Sequence, residues 1–162
     1  MQYIEILVKL RKIIRSINLE SKKIEKKFGI SIPQLMCLQF LSDQEDYKTT
    51  ASKIKDYLKL NASTVTGILK RLESRGLIAK LPNIKDRRAI FITLTAKGAD
   101  LLKESPNTLQ EKLTVRLQRL TPQQIDTMNE NIDLLVQIMD AEDLDAGPII
   151  TINEIDKSSE TA

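Results

Sequence analysis

The chain has 162 residues, 41% of them apolar, with one cysteine and no histidine, which removes a disulfide framework, the usual zinc sites and any Ser-His or Cys-His catalytic machinery. There is no Walker loop and no dinucleotide glycine motif, so no cofactor is expected and an enzyme finds no support. The net charge of +3 conceals an asymmetry: residues 48–98 hold twelve Lys or Arg against three Asp or Glu, which is +9, while residues 140–162 hold one Lys against seven acidic residues, which is −6.

In chain order, the segment MQYIEILVKL places Glu5 among apolar residues, unlike a signal peptide, and no apolar run is long enough to span a membrane. A cytoplasmic protein is expected. Ile4, Leu7, Leu10, Ile14, Ile17, Ile24 and Phe28 recur at near-helical spacing and predict a long first helix over residues 1–28, stopped by Gly29. Ser31 fits the N-cap of a second helix running to about Leu41, with Pro33 in the first turn, where it is tolerated. The polar segment from Ser42 to Lys48 reads as a loop.

Thr49 or Thr50 caps a short third helix with Ala51, Ile54 and Leu58 on one face. Asn61 caps a fourth, ASTVTGILKRLESRG, which ends at Gly76. Two short helices joined by a turn of about three residues form a helix-turn-helix pattern. Strands over Leu77 to Leu81 and Ala89 to Leu94 flank Pro82-Asn83 and a charged run, and Ile90, Ile92 and Leu94 share a face directed at the core. Thr95 caps a fifth helix, which Pro106 bends or breaks. Thr121-Pro122-Gln123-Gln124 supplies a cap, a Pro at the first helical position and a Gln three residues after the cap, and so opens a sixth.

That last helix carries Ile125, Met128, Ile132, Leu135, Val136, Ile138 and Met139, a stripe wider than one contact face needs, as is that of the first helix. Either one intramolecular core absorbs both stripes or a second copy of the chain does; the second is preferred. The expected organisation is a helical dimerisation region over residues 1–30 and 100–140, a DNA-binding unit over 31–99 and an acidic tail over 141–162 with one apolar patch, Pro148 to Ile152.

On the fourth helix Ala62, Val65, Ile68, Leu69 and Leu72 make an apolar face. At about 100° per residue the opposite face presents Ser63, Thr66, Gly67, Lys70 and Ser74, with Thr64 and Arg71 at its margins. Short hydroxyls near the N-terminus, capped by Asn61, and cations further along suit a helix entering the major groove. Lys70 and Arg71 would reach phosphates. Gly67 either permits close approach of a partner to the backbone or is a neutral surface glycine.

The stretch NIKDRRAIFITLT sets Lys85, Arg87 and Arg88 at a hairpin tip, where like charges add nothing to a core. A hairpin after a recognition helix is a wing, whose cations can reach the minor groove or the flanking backbone. Asp86 either orients Arg88 through a local ion pair or is a solvated turn carboxylate. Cys37, in LMCLQFL, reads as a buried inert thiol in preference to a redox sensor.

These residues resemble the MarR family of bacterial transcription regulators. The likeness covers the layout of roughly residues 30–139 and is carried by Asn61 to Ile78 (NASTVTGILKRLESRGLI), Asp86-Arg87-Arg88 and Leu94-Thr95-Ala96-Lys97-Gly98. The resemblance implies a mainly α fold with a small β-hairpin wing, a winged helix-turn-helix that forms an obligate homodimer through its first and last helices. It implies binding to double-stranded DNA, each subunit taking half of a palindromic operator, with Arg88 in the minor groove. It also implies repression relieved by a small aromatic or phenolic ligand bound between the dimerisation and DNA-binding regions. Peroxide-sensing members resemble one another in a reactive cysteine near the first helix, which this chain lacks. The competing reading is a winged-helix protein-interaction module whose basic face meets an acidic protein, since fold does not fix function.

Overall fold

The computed structural model describes residues 2–83, 90–105 and 108–144. These fall into two compact units that divide between Ser105 and Pro106.

In the first unit α1 spans Gln2–Phe28. It ends where Gly29 adopts φ +66°, a conformation that disfavours side chains, and the Gly29 N–H donates to the Glu25 carbonyl at 2.8 Å. Ser31 then starts α2, Ile32–Ser42, through a reciprocal capping box with Gln34. Buried from Ile32 through Leu38 and again at Leu41, α2 has little solvent face; the remaining elements pack around it, as expected of a helix apolar on nearly all sides. Helix α3, Ala51–Leu58, is capped by Thr50. A turn through Lys59 (φ +53°), Leu60 and Asn61 leads to α4, Ala62–Ser74, which gives the helix-turn-helix anticipated from the sequence.

The core joins Ile24 of α1 to Leu38 and Leu41 of α2, Ile54 and Leu58 of α3, and Ile68 and Leu72 of α4. Burying each such side chain stabilises the fold by about 1.5–3 kcal/mol. Two residues assigned to that core by spacing lie outside it: Ala51 and Ala62 are exposed. Each is the first residue of its helix, so its position overhangs the packed turns and its single methyl cannot reach back.

The hairpin strands are β2, Ile78–Pro82, and β3, Ile90–Leu94, paired antiparallel with Ile78 opposite Leu94 and Pro82 opposite Ile90. A third strand not expected from the sequence, β1 (Lys48–Thr50), pairs with the other edge of β3, giving the order β1-β3-β2. The segment treated as a loop up to Lys48 thus ends in a strand, set by the free edge of β3. Its own residues, Lys-Thr-Thr, carry no apolar alternation. Along β3 the expected inward face is split: Ile92 is buried and Leu94 half-buried, but Ile90 is 53% exposed because it lies at the hairpin end beyond the core. Thr95 caps α5, Ala96–Glu104.

In the second unit α6, Leu109–Leu117, follows a Thr108–Glu111 capping box. The predicted fifth helix is therefore two, with α5 ended at Glu104; Pro106 itself lies outside the described residues. Thr121 and Gln124 form the box that opens α7, Pro122–Ile138, with Pro122 in its first turn as anticipated. Tyr3, Ile4, Leu7, Ile13 and Ile14 of α1 are exposed, as are Met128, Ile132, Leu134 and Ile138 of α7. The tail from residue 145 onward lies outside the described residues.

Candidate nucleic-acid interface

Helix α4 is held from one side. Val65, Ile68, Leu69 and Leu72 are buried, while Asn61, Ser63, Thr66, Lys70 and Arg71 are exposed and Thr64 and Gly67 half-buried. The sequence-derived face is thus one surface of one helix. Its hydrogen bonding adds detail that spacing could not give. The Asn61 side-chain oxygen accepts from the Thr64 backbone N–H at 2.8 Å and from the Ser63 hydroxyl at 2.7 Å. The Thr66 hydroxyl donates to the Ala62 carbonyl at 2.9 Å, and Ser74 donates to Arg71 at 2.9 Å.

Asn61 is therefore first a cap, with its amide N–H groups left to face a partner, and the Ser63 and Thr66 oxygens turn acceptor lone pairs outward. Such acceptors match the exocyclic amino donors of adenine and cytosine in the major groove. A Cβ added at Gly67 meets nothing within 4 Å. Packing inside the chain does not require this glycine, although it costs the helix about 1 kcal/mol relative to alanine.

The surrounding charge is mostly cationic. Glu73, the acidic residue of α4, is paired with Lys80 of β2 at 2.6 Å. Lys48 pairs with Asp46 at 3.0 Å. Lys70 makes no ion pair with any described residue. The wing is flanked by β2 and β3, but Lys85, Asp86, Arg87 and Arg88, and with them the suggested Asp86–Arg88 pair, lie outside the described residues.

Sequence reasoning missed the residues that fix the exit of α4. The Arg75 guanidinium donates to the Phe28 carbonyl at 3.2 Å and to the Gly29 carbonyl, bridging 46 residues or more. The Lys97 ammonium donates to the Arg75 carbonyl at 2.8 Å. No local signal marks such contacts. The Leu94–Gly98 motif was the nearest hint, and it carried no reason of its own.

The MarR family model matches residues 30–90, the stretch from the start of α2 to the first residue of β3. The organic hydroperoxide resistance transcriptional regulator of Bacillus subtilis is 37% identical over 90 residues, 56% of this chain and 59% of that protein, so less than two thirds of the relative's length is covered. The DNA complex of MepR from S. aureus superposes with a TM-score of 0.61 at 22% identity, over 80% of this chain and 95% of that one. Sco3205 of Streptomyces coelicolor, a MarR family transcriptional regulator solved with DNA, gives 0.59 at 19% identity, over 90% and 93%. Over residues 30–90 the chain is similar to the MarR family, and its fold is that of the MarR proteins solved with DNA.

The fold is that of a winged helix, and the proteins it resembles are named as transcription regulators. No helix among the described residues is long and apolar enough to cross a membrane. The name of the hydroperoxide regulator directs attention to Cys37. In this chain that residue is 0% exposed, and burial pushes its thiol from an ordinary 9.0 up to about 12. It is a neutral apolar filler of α2 at physiological pH.

Proposed function

We propose that the protein is a sequence-specific DNA-binding repressor that acts as a homodimer on a palindromic operator. In this reading residues 31–99 bind DNA, with α4 in the major groove and the wing in the minor groove, and residues 1–30 and 100–140 hold the dimer. The observation that carries it is α4 itself. One face is locked into the core, and the other offers Ser63, Thr66, Gly67 and Lys70 with no packing use for them. MepR and Sco3205, both solved in complex with DNA, share this fold. Asn61, Ser63, Thr64 and Thr66 then face bases; Lys70, Arg71, Lys85 and Arg87 face phosphates; Arg88 enters the minor groove.

Release by a small aromatic or phenolic ligand completes the proposal. It rests on the likeness of residues 30–90 to the MarR family, and the buried Cys37 argues against release by thiol oxidation. The experiment is binding to inverted repeats near the protein's own gene, compared with random DNA across a salt series. Steep salt dependence with preference for one repeat is expected. Weak, sequence-blind binding would instead favour the protein-interaction module.

A further inference from the structure

The exit of the recognition helix, residues 75–77, is held by polar contacts from two directions, and the two holds differ in kind. From α5, the Thr95 hydroxyl donates to the Gly76 carbonyl at 2.7 Å, the Thr95 N–H to the Leu77 carbonyl at 3.2 Å, and Lys97 to the Arg75 carbonyl at 2.8 Å. Gly98 closes that contact. A Cβ there would stand 2.3 Å from the Leu77 carbonyl oxygen and 2.8 Å from Leu94. Backbone against backbone, with no room for a methyl, makes α4 and α5 one rigid piece at this joint.

Toward α1 the exit is held by the exposed side chain of Arg75. The Arg75 guanidinium reaches the carbonyls of Phe28 and Gly29, the last groups of α1, which have no partners further along their own helix. A planar fork can take two carbonyls at once, and a cation is favoured at a helix C-terminus. Beside it lies a cavity of about 240 Å³ lined by Glu25, Ser31, Gln34, Arg71 and Ser74 with the clasp residues themselves, so the side chain has space to leave its carbonyls without a clash.

We propose that Arg75 is a positioning residue, a clasp that fixes the angle of the recognition helix relative to α1 and so couples DNA discrimination to the state of that helix. This rests on the DNA-binding reading above. The α5 contacts hold the rigid piece together, and the Arg75 contact is the one that opens. An operator is read by a helix held at one angle; random DNA tolerates several. Loss of the clasp therefore lowers operator affinity more than general affinity.

The test uses the full chain and three variants: Arg75→Ala, Arg75→Lys and Gly29→Ala. The last attacks the clasp from the other side, since its Cβ would meet the guanidinium nitrogens at 3.1 and 3.2 Å. Spin labels on Lys23→Cys and Ser63→Cys, diluted in unlabelled subunits, report the α1–α4 distance without DNA. Arg75→Ala is expected to keep its melting temperature and dimer mass, to broaden that distance, and to lose operator affinity about tenfold with much less change on random DNA. Arg75→Lys should fall between. Gly29→Ala should weaken operator binding in the wild-type background and add little to the loss of operator discrimination in Arg75→Ala, while its strain at φ +66° appears as an equal stability loss in both backgrounds.

Equal losses on operator and random DNA, a salt slope reduced by about one and an unchanged distance would make Arg75 a phosphate anchor and overturn the clasp. Unchanged distance with unchanged operator affinity would overturn it too. If the wild type binds no operator, the DNA-binding reading fails, and the spin-label distance alone then decides whether the clasp exists. Should Arg75→Ala not fold, Arg75→Lys and Gly29→Ala carry the same comparison.

Discussion

The region around α2 and the long helices α1 and α7 are built from similar numbers of apolar side chains put to different use. Around α2 the apolar residues disappear: Leu35, Cys37, Leu38, Leu41, Ile54 and Leu72 are all 0% exposed. On α1 and α7 they do not, and Leu7 at 53%, Ile14 at 52%, Ile132 at 50% and Ile138 at 70% stand in solvent. A protein surface tolerates scattered apolar residues but not long helical stripes of them. The difference teaches that the helix-turn-helix is closed by its own apolar residues, whereas the end helices leave apolar faces uncovered, and such a face is one half of a packed contact. On the proposed reading the other half is a second copy.

The largest expected effects separate these two regions directly. Leu38→Ala removes a fully buried side chain and should cost about 2–5 kcal/mol of unfolding free energy, read from denaturant titration. Ile132→Asp should leave the winged helix folded, yet shift sedimentation from about twice the 18.4 kDa chain mass toward the monomer. If Ile132→Asp stayed at full dimer mass and lost no stability, the α7 face would not be an interface and the contrast between the regions would lose its meaning.

A second comparison lies within the DNA-facing surface, between the wing and α4. Arg88→Ala should cost about 1–3 kcal/mol on the operator and less on random DNA, if Arg88 senses a narrow minor groove. Lys85→Ala and Arg87→Ala should weaken both alike, each lowering the salt slope by about one. An operator loss for Arg88→Ala no greater than the random-DNA loss reduces it to a backbone anchor.

Asn61 belongs to the fold as well as to the surface, and its effects should be smaller. Asn61→Ala loses a cap that accepts from the Thr64 N–H and from Ser63, costing about 0.5–2 kcal/mol of stability. Asn61→Asp keeps a capping oxygen but faces the DNA with negative charge, so it should retain stability and lose affinity. Parallel loss of both in Asn61→Asp would mean that the residue acts through folding alone.

What was legible in the sequence follows the range of the interactions. Ser31, Thr95 and Thr121 are caps whose partners lie three residues away, so their helices were readable from local pattern. The turn at Lys59 to Asn61 and the buried side of α4 were readable for the same reason. Strand β1 was not, because Lys-Thr-Thr becomes a strand only through the edge of β3 more than forty residues on. Ile90 shows the limit of alternation: period-two spacing gives the face of a strand and not where the core beneath it ends. Arg75 was invisible as a clasp because its acceptors are backbone carbonyls, which carry no sequence signature.

The smallest expected effect concerns Cys37, and it sharpens the first comparison at its centre. The residue is packed in α2, and burial holds its thiol at about 12 against an ordinary 9.0. Between those two values the unfolded chain ionises its thiol while the folded chain does not. The folded state then binds more protons, so this group's contribution is fully present below pH 9.0 and is lost as pH rises toward about 12. At neutral pH the thiol should therefore resist alkylation until the core opens, and its modification rate should follow the unfolding equilibrium set by Leu38→Ala. Cys37→Ser should leave operator affinity unchanged with and without peroxide. A peroxide response that vanishes in Cys37→Ser, or rapid alkylation of the native protein at pH 7, would mean that the α2 core opens far more readily than its burial implies.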